Sequence, residues 1–164
     1  MKNSSVRPAD DIEKVIKTYG NMLFRVCFVM LRNPTDAEDA VQETMLKYIQ
    51  KAPEFESAEH QKAWLLTVAA NKCRDMLKSR WRNVPLNLDI VKEYASDAQD
   101  SMIMEALISL PDKFRIVMTL YYVEEYQVND IAAIIGKTPS CVKMRLKKGR
   151  KLLEEKYRKE YMND

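Results

Sequence analysis

Apolar residues recur at spacings of three and four along nearly the whole chain, and only three glycines interrupt its 164 residues. No segment shows the strict alternation of a half-buried strand. Such a pattern has one consistent solution: helices that each bury a stripe against other helices. The fold class is therefore all-α. A chain of this length holds one ordinary domain or two small ones. Two small helical domains would each have a thin core and little stability alone, which favours a chain that works on a partner.

Proline and capping residues divide the pattern. A first helix is predicted from near Asp10, with Ile12, Val15, Ile16, Tyr19, Leu23, Val26, Cys27 and Met30 at helical spacing. It ends at Asn33-Pro34, because the residue before a proline avoids helical backbone. Thr35-Asp36-Ala37-Glu38 reads as a capping box for a second helix running to about Gln50. Ala37, Val41, Thr44, Met45 and Tyr48 form its inner stripe. Asp36, Asp39, Glu43, Lys47 and Gln50 share the outer face, flanked by Gln42 and Leu46. That Leu46 among polar residues is either an ordinary exposed leucine or the apolar centre of a docking face. Lys51–Gln61 is a loop around Pro53. A third helix runs from about His60 to Arg80, with Trp64, Leu65, Val68, Ala69, Cys73, Met76 and Leu77 on its core side.

Residues 83–100 lose periodicity and carry Asp89, Glu93, Asp97 and Asp100 against Lys92. They read as an acidic linker with a short helical stretch at Asp89–Tyr94. A second domain begins near Ser101, with helices at Met102–Ser109, Asp112–Tyr122 and Val128–Ile135. Phe114, Val117, Met118 and Tyr121 point inward from the middle one. Gly136 is placed as a left-handed cap, and Thr138-Pro139 opens the last helix. The organisation is two domains, 1–82 and 101–164, joined by 83–100.

The net charge is only +3, but it is unevenly spread. Lys137–Lys159 holds ten basic residues against Glu154 and Glu155, and Lys72–Arg82 holds five against Asp75. Two separate basic segments are either solvated helix faces or two contacts with a polyanion. The segment QVNDIAAIIGKTPSCVKMRLKKGRKLL decides for the second. A short apolar helix, a glycine turn and a longer basic helix make a helix-turn-helix pattern. In the last helix Val142, Leu146, Gly149, Leu153 and Tyr157 share an arc of about 80°. Lys143, Met144, Lys147, Lys148 and Lys151 spread over the other side, where cations meet phosphates and donors meet guanine edges. The amides at Ser140–Val142 are placed for a phosphate. An amphipathic bundle helix would share this periodicity but not the preceding helix, turn and charge. The segment AWLLTVAANKCRDMLKSRWR mixes Lys72, Arg74, Lys78, Arg80 and Arg82 with Asn71, Trp64 and Trp81. Cations with aromatics suit strand-separated DNA. Trp64 reads mainly as core, and Trp81 is the better candidate for an exposed role.

Other classes fare worse. One histidine, no metal-ligand motif and no glycine-rich phosphate loop argue against an enzyme, a metal site or a cofactor. Asp36, Asp39 and Glu43 could hold a metal, but their mixture with Lys47 and Gln50 favours protein contact. Cys27, Cys73 and Cys141 are far apart in sequence, odd in number, and read as reduced thiols of a cytoplasmic protein. MKNSSVRPADD has no apolar core for a signal peptide, and no apolar run is long enough to span a membrane.

The ordered motifs DAEDAVQETMLKYIQ, AWLLTVAANKCRDMLKSRWR and LPDKFRIVMTLYYVEEYQVNDIAAIIGKTPSCVKMRLKKGRKLL resemble the extracytoplasmic-function group of the sigma-70 family, from about Asp10 to Tyr157. The resemblance implies a bacterial initiation factor that binds core RNA polymerase and recognises −35 and −10 promoter elements. It implies docking on the polymerase β′ coiled coil through Asp36, Asp39, Gln42, Glu43 and Leu46. It implies −10 melting and capture of an extruded base by Asn71, Lys72, Arg74, Asp75, Lys78, Arg80 and Trp81 with the Lys51–Gln61 loop. Ser140, Cys141, Lys143, Met144, Arg145, Lys147, Lys148 and Arg150 fall on the duplex −35 reader, Arg145 and Arg150 holding phosphate or bracing the fold. A contact with the polymerase β flap, an anti-sigma partner that is often membrane-anchored, and a stress or envelope response complete the implication. The turn departs from the family pattern. Gly136-Lys137-Thr138-Pro139-Ser140-Cys141 keeps its length but places proline one position late, and Cys141 replaces a hydroxyl often used on phosphate. Cys141 reads either as a redox-sensitive thiol or as a small space-filling residue. The competing class is a helix-turn-helix regulator that binds duplex DNA without polymerase.

Overall fold

The computed structural model describes residues 7–79 and 88–162. Among these residues there are eight helices and no strand. The chain divides into two compact units, Met1–Asn83 and Val84–Asp164.

The first unit is built from α1 (Ala9–Leu31), α2 (Pro34–Lys51) and α3 (Ala58–Ser79). Each long helix packs on the other two. Leu23, Val26, Phe28, Ala37, Tyr48, Leu65, Leu66 and Ala69 are fully enclosed between them. Thr44 is buried as well, and its hydroxyl donates to the Ala40 carbonyl one turn back at 2.8 Å, so burial leaves no orphan donor. Ile16, grouped with the apolar stripe by spacing, is 48% exposed.

The turn between α1 and α2 differs from the expected capping box. Arg32 takes the left-handed conformation (φ 61°) and its N–H closes on the Phe28 carbonyl. Asn33 is the cap: its Oδ1 accepts the Asp36 N–H at 3.1 Å. Pro34 lies inside the helix at its first position, where its missing N–H costs nothing. Asparagine is a better cap than threonine, so the helix starts before Thr35.

Cys27 of α1 and Cys73 of α3 are both fully buried. Far apart in sequence, they meet as a hydrogen-bonded pair. That bond and burial push the Cys73 thiol well above its ordinary range. Thiolate, the reactive form, is thereby suppressed. An alkylating reagent is expected to label Cys141 alone in the native protein and all three thiols in denaturant. Native labelling of more than one thiol would contradict this packing.

The second unit contains α4 (Leu88–Tyr94), α5 (Ala98–Ile108), α6 (Asp112–Tyr122), α7 (Val128–Ile135) and α8 (Pro139–Met162). Much of the expected linker is therefore helical. Val91 of α4 is buried against this unit. Asp97 caps α5 by accepting the Asp100 N–H at 2.7 Å, and Asp100 reaches back to the Ser96 N–H at 2.9 Å. Two of the acids read as a linker's charge thus serve a helix start.

Helix α6 is almost wholly buried from Phe114 to Leu120. Arg115 lies among these residues at 1% exposure. Its guanidinium pairs with Asp112 and donates to the Leu110 carbonyl at 3.4 Å. Burying such a group is tolerable only with partners, and these fix the α5–α6 corner. Tyr121, expected inside, is 38% exposed. Gly136 caps α7 in the left-handed conformation (φ 68°), which costs glycine nothing.

Candidate nucleic-acid and docking interfaces

Helix α8 separates its two sides cleanly. Val142, Leu146 and Gly149 are buried, while Lys143, Met144, Lys147, Lys148 and Lys151 are exposed, Met144 at 65%. Ser140 is exposed at the start of the helix, and Cys141 and Arg145 are half-buried. Thr138 caps the helix, its hydroxyl accepting the Cys141 N–H and its carbonyl the Val142 N–H, both at 3.1 Å. This corrects the expectation of free amides for a phosphate: two of the three are committed within the chain. The first turn nevertheless carries no acidic residue. Helix stability alone would favour an acid there, so this end is left positive. Arg150 is exposed, and it donates to the Tyr122 hydroxyl on α6 at 3.2 Å.

The outer face of α3 carries Asn71, Arg74, Asp75 and Lys78, within an arc of about 100°. Asn71, Asp75 and Lys78 are exposed, and Lys72 and Arg74 half-buried. The Asn71 side-chain oxygen accepts from Arg74. Arg80 and Trp81 lie outside the described residues. Trp64 belongs by helical position to this outer side and not to the central core. It is half-buried because Phe55 and Tyr48 lean over it, at ring separations of 5.9 and 6.3 Å.

Phe55 stands in the α2–α3 connection, which is shorter than expected: residues 52–57, with His60 and Gln61 already helical. Its ring lies parallel to Tyr48 at 6.3 Å and meets His60 edge-on at 5.2 Å. The Tyr48 hydroxyl donates to Asp11 at 2.7 Å and accepts from Gln61 at 3.1 Å. Burial, then the Asp11 bond, raise its phenol above the ordinary tyrosine range. An aromatic platform therefore underlies the loop beside the cationic face of α3. Spacing could not reveal it, because its members come from three segments.

Helix α2 presents Asp39, Gln42, Glu43, Leu46 and Lys47 to solvent, with Leu46 47% exposed. Asp36 departs from this set. It is buried at 8% in the first turn of α2, so its carboxylate is not part of the outer face. In the second unit, Met102, Ile103, Leu107, Met118, Tyr122 and Leu153 line an apolar groove of about 420 Å³ with Arg150 on its wall. Met102 is 58% exposed there. No sequence signal had marked it. Among the described residues no group of three His, Cys, Asp or Glu could hold a metal, and no helix is long and apolar enough to cross a membrane.

Residues 15–83 match sigma-70 region 2, and residues 100–153 match sigma-70 region 4. The chain belongs to the extracytoplasmic-function group of the sigma-70 family. It is similar to the ECF RNA polymerase sigma factor SigW of Bacillus subtilis, 23% identical over 91% of this chain and 90% of that one. The RNA polymerase sigma factor CarQ of Myxococcus xanthus is 30% identical, over 77% of each. Among solved structures, the sigma factor RpoE of Bartonella quintana, crystallised with the anti-sigma factor NepR, aligns with a TM-score of 0.68. That alignment covers 90% of this chain and 96% of that one at 23% identity.

Proposed function

We propose that the first unit docks on core RNA polymerase through α2 and opens the −10 element with α3 and the 52–57 loop. The second unit reads the −35 element as duplex through α8. The observation that carries this reading is the charge of three exposed faces. That of α8 is strongly cationic, that of α3 carries Arg74 and Lys78 against Asp75, and the third, Asp39, Gln42, Glu43 and Leu46 with Lys47 at its edge, is acidic around one leucine. DNA repels that third face, so it serves a protein partner. A duplex-only regulator would leave both it and α3 without work. Asn71, Arg74, Asp75 and Lys78 are the −10 set, and Lys143, Met144, Lys147 and Lys148 the −35 set. Ser140, Cys141 and Arg145 border the latter.

The apolar groove of the second unit is the seat we assign to the polymerase β flap. An anti-sigma factor, the kind of partner held by the solved RpoE, would compete for these same protein-binding faces. Its release would start a stress or envelope response.

The test is a promoter-binding titration with and without core polymerase. The protein alone should not shift duplex promoter DNA specifically, and with core polymerase it should. Lys147→Ala should weaken that binding and lower its salt slope by about one unit, the share of one lost phosphate contact. Tight, sequence-specific binding without polymerase would overturn the reading and favour the regulator. A change of preference at one base position with an unchanged slope would make Lys147 a base reader.

A further inference from the structure

Arg7 lies ahead of α1, yet its side chain is spent on the connection between α2 and α3. One guanidinium nitrogen, Nη2, donates to the carbonyls of Ala52 at 3.1 Å and Pro53 at 2.6 Å. The other, Nη1, reaches Asp11 Oδ2 at 3.4 Å. The guanidinium carbon Cζ lies over both rings, 4.5 Å from the Tyr48 ring centre and 5.6 Å from that of Phe55. Asp11 in turn accepts the Tyr48 hydroxyl. One side chain therefore ties the N-terminal segment and α1 to the end of α2 and to the loop.

The loop needs such a tie. Pro53 has no N–H to donate. The described bonds of residues 52–56 run to side chains: Arg7 at one end and His60, which accepts the Glu56 N–H at 3.3 Å, at the other. Between them Phe55 rests on Tyr48. An ion pair with Asp11 alone would do little, since at 3.4 Å it is long and still partly open to solvent. What matters is a cationic fork that donates to two carbonyls while lying over two rings, a combination that arginine's geometry suits better than lysine's.

We propose that Arg7 is a positioning residue for the 52–57 loop, holding it over the Tyr48–Phe55–Trp64 platform in the shape that accepts an unstacked promoter base. This rests on the functional reading above. Arg7 is not placed on the DNA; it acts through the loop.

The experiment uses the full chain with Arg7→Ala and Arg7→Lys. In free protein, a glutamate-specific protease should cut at the exposed Glu54 and Glu56 faster in both variants than in wild type. Binding to core polymerase should be unchanged, because the outer face of α2 is untouched. Opening of duplex promoter should fall by about tenfold in both, the order expected when two hydrogen bonds and a stacking contact are lost. Selectivity at the captured −10 base should flatten, and a pre-melted promoter should recover most of the loss of opening. A merely structural residue would lower thermal stability and every activity together, and that result would overturn the proposal. So would unchanged cleavage with unchanged base selectivity, or full rescue by lysine. Should the wild-type protein open no promoter with core polymerase, the functional reading falls, and the protease comparison still decides whether Arg7 clamps the loop.

Discussion

Glu43→Lys is expected to abolish binding to core RNA polymerase, by about a hundredfold or more, while leaving the helical content of the protein unchanged. Glu43 is exposed on α2 beside Asp39, Gln42 and Leu46. The substitution changes local charge by two where the partner is expected to be basic. Like charges facing each other across an interface cost several kcal/mol, and each 1.4 kcal/mol or so is tenfold in affinity. The fold pays little by comparison. Lysine and glutamate have similar helix propensity, so the exchange at an exposed position costs the helix little. A binding assay with purified core polymerase, accompanied by circular dichroism, checks both halves. Unchanged affinity with native helicity would show that this face is not the docking surface.

Gly149→Leu carries the largest expected effect on stability, a loss of about 3 kcal/mol from the second unit. Glycine in a helix ordinarily costs about 1 kcal/mol relative to alanine, so its presence in α8 needs a reason. The reason is α6: a Cβ at this position would lie 2.9 Å from the Met118 sulfur and 3.0 Å from its Cγ. Met118 is only 2% exposed, so it makes room only by repacking against its neighbours. Alanine would set its propensity gain against that crowding. Leucine adds three further carbons to the same close contact with α6. A unit this small has only a few kcal/mol in hand, so much of it should unfold at ambient temperature. Denaturant titration read out on the second unit should show an earlier midpoint, and −35 binding should fall with it. Coincident midpoints for variant and wild type would mean that α6 and α8 do not touch as described.

The parts legible in the sequence were those set by neighbours along the chain. The bounds of α6 and α7 follow from Pro111 and Gly136, and the two sides of α8 follow from its period; all stand in the fold as expected. A cap can still be misplaced locally, as Thr35 was against Asn33, because Pro34 is both a helix breaker before the turn and a helix starter after it. What could not be read depends on distant segments meeting. Arg7 bonds a carbonyl 45 residues away. Trp64 is half-covered because Phe55 folds back on it, not because of its own spacing. Arg115 is a charged residue on a helix that has no solvent side left. Asp36 has the helical angle of an outer residue but lies in a first turn that is covered. Arg150 bonds Tyr122, a residue 28 positions away that its own spacing does not announce. The apolar groove is assembled from α5, α6 and α8, and no one of these helices encloses it by itself.

The central claim is that an acidic helix joins this chain to the transcription machinery so that two cationic faces can grip one promoter. Its most direct measurement is transcription in vitro by purified core polymerase on fragmented genomic DNA, with every RNA start sequenced. Adding the protein should produce a set of discrete starts that share upstream elements at fixed spacing and vanish with Glu43→Lys. Starts identical to those of core polymerase alone would contradict the claim.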